Sequence, residues 1–261
     1  MGPTNQRVRR LQRLIQKRSE RWGEGCCVLE GPDLVRSALD SDQNFEGIYV
    51  DNSFVNDEEC RHIVVDATAR GIEVFSLASG VINKITDATT PQPIVGEVRL
   101  PIRSYQEMDV AGLIFVLHDL RDPGNLGTII RSSDAAGCSG VILTGNSVDP
   151  FNPKSLRASA GSIFNVPVAL ADYDEVLSYF STRNVQTLAT VVRGGEEFHD
   201  VDFTAPSVVV IGSEAHGLGE EQVRQCDRAI TIAMAGASES LNAGVAASVI
   251  AFEALHQRQR H

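Results

Sequence analysis

Three stretches beyond residue 110 of this 261-residue chain set glycines beside a few polar side chains where an apolar run ends. The first is Asp119-Leu-Arg-Asp-Pro-Gly-Asn125-Leu-Gly127-Thr-Ile-Ile-Arg131, after the apolar run at 113–117. Gly124 and Gly127 let backbone approach a partner closely. Asn125 and Arg131 lie across a helix start, where Asn125 either caps the helix with Arg131 on its surface or both serve a ligand. The second is Val208-Val-Val-Ile-Gly212-Ser-Glu214-Ala-His-Gly217-Leu-Gly219-Glu220. Leu218 stands where a phosphate-binding loop needs Lys, and the glycine spacing does not fit G-x-G-x-x-G, so neither ATP nor NAD is supported. Glu214, just past a buried strand, accepts hydrogen bonds from a ligand or caps its turn. The third runs from Ile230 through Met234, Gly236, Ser240, Leu241 and Asn242 into a small-sided helix with Ala243, Gly244, Ala246, Ala247 and Ser248. One or two small residues suit any core, whereas this cluster points to chain segments threaded tightly past one another.

Other chemistries lack their residues. The five cysteines form no C-x-x-C pair and have no histidine at ligand spacing, which argues against a zinc site, any other metal site and a disulfide framework, and fits a reducing cytoplasm. His216 has no serine or cysteine nucleophile beside it, and His118 ends a strand. No run of about 18 apolar residues suggests a membrane span. The net charge of −11 is unlike a generic nucleic-acid coat, yet residues 1–22 hold seven basic side chains against one acid. Arg7, Arg9, Arg10, Arg13 and Lys17 of this arm suit local RNA contact, or else form a solvated helix face.

The elements that must position these groups read as two α/β domains, 1–106 and 107–261. Val8, Leu11, Leu14 and Ile15 recur at helical spacing within a helix over 5–22. A strand at 26–29, a helix from Pro32 to about 39, a strand near 48–50, a helix over 57–69, a strand at 74–76, a helix around 78–85 and a strand near 94–98 complete the first. In the second, apolar strands at 113–117, 141–144, 166–169, 187–191, 208–211 and 230–233 alternate with helical stretches, which predicts a mainly parallel sheet covered on both faces. Ligands of such sheets gather at the carboxyl ends of the strands, where all three stretches lie. Trp22 is a stacking platform or a core residue.

Taken together, N-x-G-x-x-x-R, I-G-x-E-x-x-G-L and I-x-M-x-G-x-x-x-S-L-N-x-x-V-A, in that order over about 110–256, closely resemble the motifs of the SpoU/TrmH family in the SPOUT superfamily. The segment 147–161, with Arg157, resembles that family's intervening helix. Val28-Leu-Glu30-Gly31 and Thr89-Thr-Pro91-Gln92 resemble the ribosomal-protein-like RNA-binding domain often fused ahead of it.

The resemblance implies a C-terminal domain with a trefoil knot, an exception to the unthreaded rule, and a homodimer. It implies S-adenosylmethionine as cofactor, held at Gly212, Ile232 and Leu241 with Met234 and Leu218. It implies RNA ribose 2′-O-methylation, most readily of 23S ribosomal RNA, with transfer RNA methylation or a non-catalytic ribosome assembly factor as alternatives. Arg131 is the residue nearest the reacting hydroxyl, with Asn125, Glu214, Ser240 and Asn242 orienting ribose, phosphate or Arg131, and Arg157 joining the arm on RNA. Because a guanidinium stays protonated, Arg131 is a doubtful base and a better stabiliser of negative charge.

Overall fold

The computed structural model describes residues 1–54, 56–86 and 92–260. In chain order the elements are α1 (Gln6–Gln16), α2 (Arg18–Glu24), β1 (Cys26–Glu30), α3 (Pro32–Asp40), β2 (Phe45–Asp51), α4 (Glu58–Ala69), β3 (Val74–Leu77), α5 (Ile82–Ile85) and β4 (Ile94–Arg99). They continue with β5 (Leu113–His118), α6 (Pro123–Ala135), β6 (Gly140–Thr144), α7 (Pro153–Ser159), β7 (Val168–Leu170), α8 (Tyr173–Ser181), β8 (Gln186–Thr190), β9 (Glu196–Glu197), β10 (Ser207–Ile211), α9 (Glu220–Arg224), β11 (Arg228–Thr231) and α10 (Ala243–Arg258). By mutual packing they form two units, Met1–Pro101 with Asp149–Phe164, and Ile102–Val148 with Asn165–His261. The segment 149–164, which the sequence reading placed with the second half, thus packs within the first unit.

The first unit is a four-stranded sheet in the order β1-β4-β2-β3, antiparallel except for the β2–β3 pair. Its core gathers Val8, Leu11, Leu14 and Ile15 of α1 with strand residues such as Val28, Tyr49 and Val95. The helix expected over 5–22 breaks at Lys17, which is extended. Arg21 explains the break. Its guanidinium donates to the carbonyl oxygens of Leu14 and Ile15, at 2.7 and 2.9 Å, satisfying acceptors that a helix end leaves open. It also pairs with the buried carboxylate of Asp149 at 2.7 Å. Trp22 donates its indole N–H to Asp149 at 3.3 Å and packs near Phe151, so it is held inside the unit. Residues 89–91 of the second family-like stretch lie outside the described residues.

The second unit is a seven-stranded sheet in the order β7-β6-β5-β10-β8-β11-β9, parallel at every pairing. β5, β6 and β10 are buried on both faces apart from His118 at the end of β5, which is why they read as continuous apolar runs. Asp122 begins α6 by accepting from the Asn125 amide at 2.8 Å, and Pro123 sets the first turn. α10 packs on α6 through small residues. Ser132 and Ser248 hydrogen-bond across the pair at 2.6 Å, and a Cβ on Gly244 would sit 3.1 Å from Thr128.

Candidate active site

The carboxyl ends of β8, β10 and β11 open into a cleft of about 620 Å³, within the size range of small-molecule sites. Gly212, Glu214, Leu218, Ile232, Met234, Ser240, Leu241 and Asn242 all line it. Gly212 leaves β10 so close to the returning chain that a Cβ there would collide with the backbone of Gly217 and Leu218. The chain doubles back there, with Ser213 and Gly217 exchanging both backbone hydrogen bonds. Much of this wall is therefore bare peptide and aliphatic side chain, which offers in-plane donors and acceptors edged by apolar surface.

Behind the cleft the three glycine-bearing stretches meet in one hydrogen-bonded chain. Glu214 Oε1 accepts from Asn125 Nδ2 at 2.9 Å and from the Asp122 amide at 3.0 Å, while Oε2 accepts from the Arg121 amide at 3.1 Å. Asn125 Oδ1 accepts from Asn242 Nδ2 at 2.8 Å. Asn242 Oδ1 in turn caps α10 by accepting from the Gly244 and Val245 amides. Desolvation alone would raise the Glu214 carboxyl, but the hydrogen bonds from Asn125 and from the Arg121 and Asp122 amides outweigh it and hold its pKa below the usual carboxylate value.

This geometry sorts the open alternatives for these residues. Asp122 takes the capping role that the sequence left open to Asn125, whose amide instead ties Glu214 to Asn242. Asn125 donates to Glu214 and accepts from Asn242, and Asn242 donates to Asn125 and accepts from the α10 amides, so both brace the loops that frame the cleft. Arg131 is exposed on α6, is not among the cleft-lining residues, and its side chain makes no hydrogen bond or ion pair among the described residues. The cleft residues that sequence reasoning did not single out are Thr190, Val191 and Val192 at the end of β8. Their signal was positional, since a parallel strand flanking β10 must present its carboxyl end at the same level.

The SpoU rRNA Methylase family matches residues 112–252, the stretch that holds the whole cleft and its brace. The chain belongs to that family. Residues 5–96 of this SpoU methylase match the MRM3-like substrate binding domain. The methylase is 31% identical, over 97% of its length and 91% of the relative's, to a 23S rRNA (uridine(2479)-2′-O)-methyltransferase of Streptomyces viridochromogenes. It is 29% identical to the 23S rRNA (guanosine(2553)-2′-O)-methyltransferase RlmP of Bacillus subtilis, over 95% of each chain. Its structure is similar to that of an AdoMet-bound rRNA methyltransferase from Sinorhizobium meliloti, with a TM-score of 0.86 and 31% identity over 97% and 95% of the two chains.

In the methylase's first unit, most arginines named for RNA contact already have carboxylate partners. Arg10 pairs with Glu24 and with the buried Glu97. Arg13 pairs with Glu20 at 3.2 Å and Arg157 with the buried Glu30 at 2.7 Å. Arg7 lies over the Phe75 ring and 3.8 Å from Glu73. Arg9 and Lys17 are exposed. No helix is long and apolar enough to cross a membrane among the described residues.

Proposed function

We propose that this chain transfers a methyl group from S-adenosylmethionine to a ribose 2′-hydroxyl of 23S ribosomal RNA in the cytoplasm. The observation that carries the reading is the cleft closed off by the Glu214–Asn125–Asn242 brace. The two-unit likeness to 23S rRNA 2′-O-methyltransferases over nearly the whole chain supports it. The backbone-lined wall at Gly212 suits an adenine edge, and Ile232, Leu241, Leu218 and Met234 supply apolar contacts to its faces. Close passages of chain at Gly195, where a Cβ would lie 2.7–2.9 Å from Ile230 backbone, and at Gly212 support the expected trefoil knot.

Bound S-adenosylmethionine supplies a methyl group on a cationic sulfur. The protein's task is to align the hydroxyl, exclude competing water and stabilise charge as the proton leaves. Ser240, at the mouth of the cleft, is placed to hydrogen-bond the ribose. Glu214, Asn125 and Asn242 hold the loops that present it. The Arg131 guanidinium stabilises negative charge developing on oxygen, and the proton passes to water or an RNA phosphate.

Because Arg131 does not line its own cleft, we infer that a second copy completes the site. Support comes from α10, which packs on α6 and leaves Val245, Val249 and Phe252 exposed at 46%, 36% and 49%, an apolar strip at helical spacing. The deciding experiment incubates the protein with tritiated S-adenosylmethionine and unmodified ribosomal or transfer RNA, beside Arg131→Ala. Ribosomal label that maps to a 2′-O-methylated nucleotide and vanishes in the variant is expected. Label in transfer RNA alone overturns the substrate, and binding of cofactor and RNA without label favours a non-catalytic assembly factor.

A further inference from the structure

The second unit is strongly acidic. Over 102–148 and 165–260 it has nine arginines, no lysine and 18 acidic side chains. Five of those arginines are engaged within the unit. Arg183 donates to the Tyr179 carbonyl, Arg193 lies 4.0 Å from Glu239, Arg224 and Arg228 pair with glutamates, and Arg258 donates to the Phe203 carbonyl. The side chains of Arg103, Arg121, Arg131 and Arg260 make no hydrogen bond or ion pair among the described residues. Arg103 sits beside Val168, at the amino end of β7, and Arg260 follows α10. Only Arg121 and Arg131 leave the carboxyl end of β5, on the stretch that carries Asn125.

From this placement we infer that Arg121 binds an RNA phosphate beside the nucleotide being modified, a role separate from that of Arg131. The inference rests on the RNA-methylation reading above. An RNA strand approaching so acidic a unit gains attraction only where guanidiniums are unneutralised. Arg121 meets that need with its Cα fixed, because its own amide is bonded to Glu214. Its side chain is exposed and, among the described residues, unpaired. The nearest carboxylates in sequence are otherwise occupied, Asp122 by the Asn125 amide and Asp119 by the Asn146 amide. The planar guanidinium fork matches two phosphate oxygens, which a lysine at this position would meet only as a point charge.

The test exploits the separation of backbone and side-chain roles, since Arg121→Ala keeps the amide that serves Glu214. Binding of in vitro-transcribed, unmodified 23S rRNA is measured across a salt series for the wild type, Arg121→Ala and Arg121→Lys. S-adenosylmethionine affinity is measured by calorimetry on each. For Arg121→Ala the expected result is a roughly three- to tenfold loss of RNA affinity at low salt. The slope of log affinity on log salt should become shallower by about 0.7 to 0.9, the signature of one lost phosphate contact. Arg121→Lys should restore the slope but only part of the affinity, and cofactor affinity should stay within about twofold throughout. An unchanged slope in Arg121→Ala, with a wild type that binds and labels the RNA, overturns the assignment alone. So does lost cofactor affinity with RNA binding intact. A wild type that neither binds nor labels ribosomal RNA overturns the functional reading and this assignment with it.

Discussion

The amides of Asn125 and Asn242 each have one permitted orientation, because Glu214 demands a donor at one end of the chain and the α10 amides demand an acceptor at the other. Asn125→Asp replaces that donor with a carboxylate facing Glu214. Loss of the bond and like-charge repulsion should destabilise the fold by about 1–3 kcal/mol and lower methyl transfer well below the level of Asn125→Ala, which thermal melts and initial rates will show. Glu214 also gives a signed pH dependence. A carboxyl lowered in the folded state stabilises above the ordinary carboxylate value of about 4.3 and loses that stabilisation as pH falls through its lowered native value. The stability gap between the wild type and Glu214→Gln should therefore be flat from pH 8 to about pH 5 and close only in stronger acid, as melts across that range will report. These residues were legible as a set through the resemblance of their three motifs to a known family, while spacing alone left each open between cap and ligand. Their connections were not, because which amide caps a helix and which bridges loops is decided by the tertiary approach of β10 and α10 to α6.

At the scale of elements, two glycines of the second unit differ in what surrounds them. Gly212→Ala forces a Cβ into the backbone of residues 217–218, which cannot rotate away. It should cost about 1–3 kcal/mol or more and abolish cofactor binding in calorimetry. Gly244→Ala meets side chains only, Thr128 at 3.1 Å and Asn242 Oδ1 at 3.2 Å, and added helix propensity offsets the crowding, so its melting temperature should change little. The strands of the second unit were readable because two covered faces demand unbroken apolar runs. The two-residue β9 was not, since Glu196 and Glu197 have no apolar pattern and owe their pairing to β11. The break between α1 and α2 escaped as well, because nothing local to Lys17 signals a side chain arriving from Arg21 to take the carbonyls.

For the molecule as a whole, the buried Arg21–Asp149 pair ties the amino-terminal helices to a stretch far along the chain. Arg21→Ala should cost about 3–5 kcal/mol, since it strands a buried carboxylate, whereas Arg21→Met with Asp149→Leu should recover only part of that in denaturant titration, because the Leu14 and Ile15 carbonyls and the Trp22 indole N–H lose their partners. The pair also imposes an order on synthesis. Asp149 follows Arg21 by 128 residues, which at translation rates of about 5–20 residues per second is a delay of roughly 6 to 25 s. By then β5 and β6 of the second unit have already emerged from the ribosome. The first unit cannot finish before the second has begun, and a gene fragment ending near residue 101 encodes a protein whose Arg21 waits for a partner that never arrives.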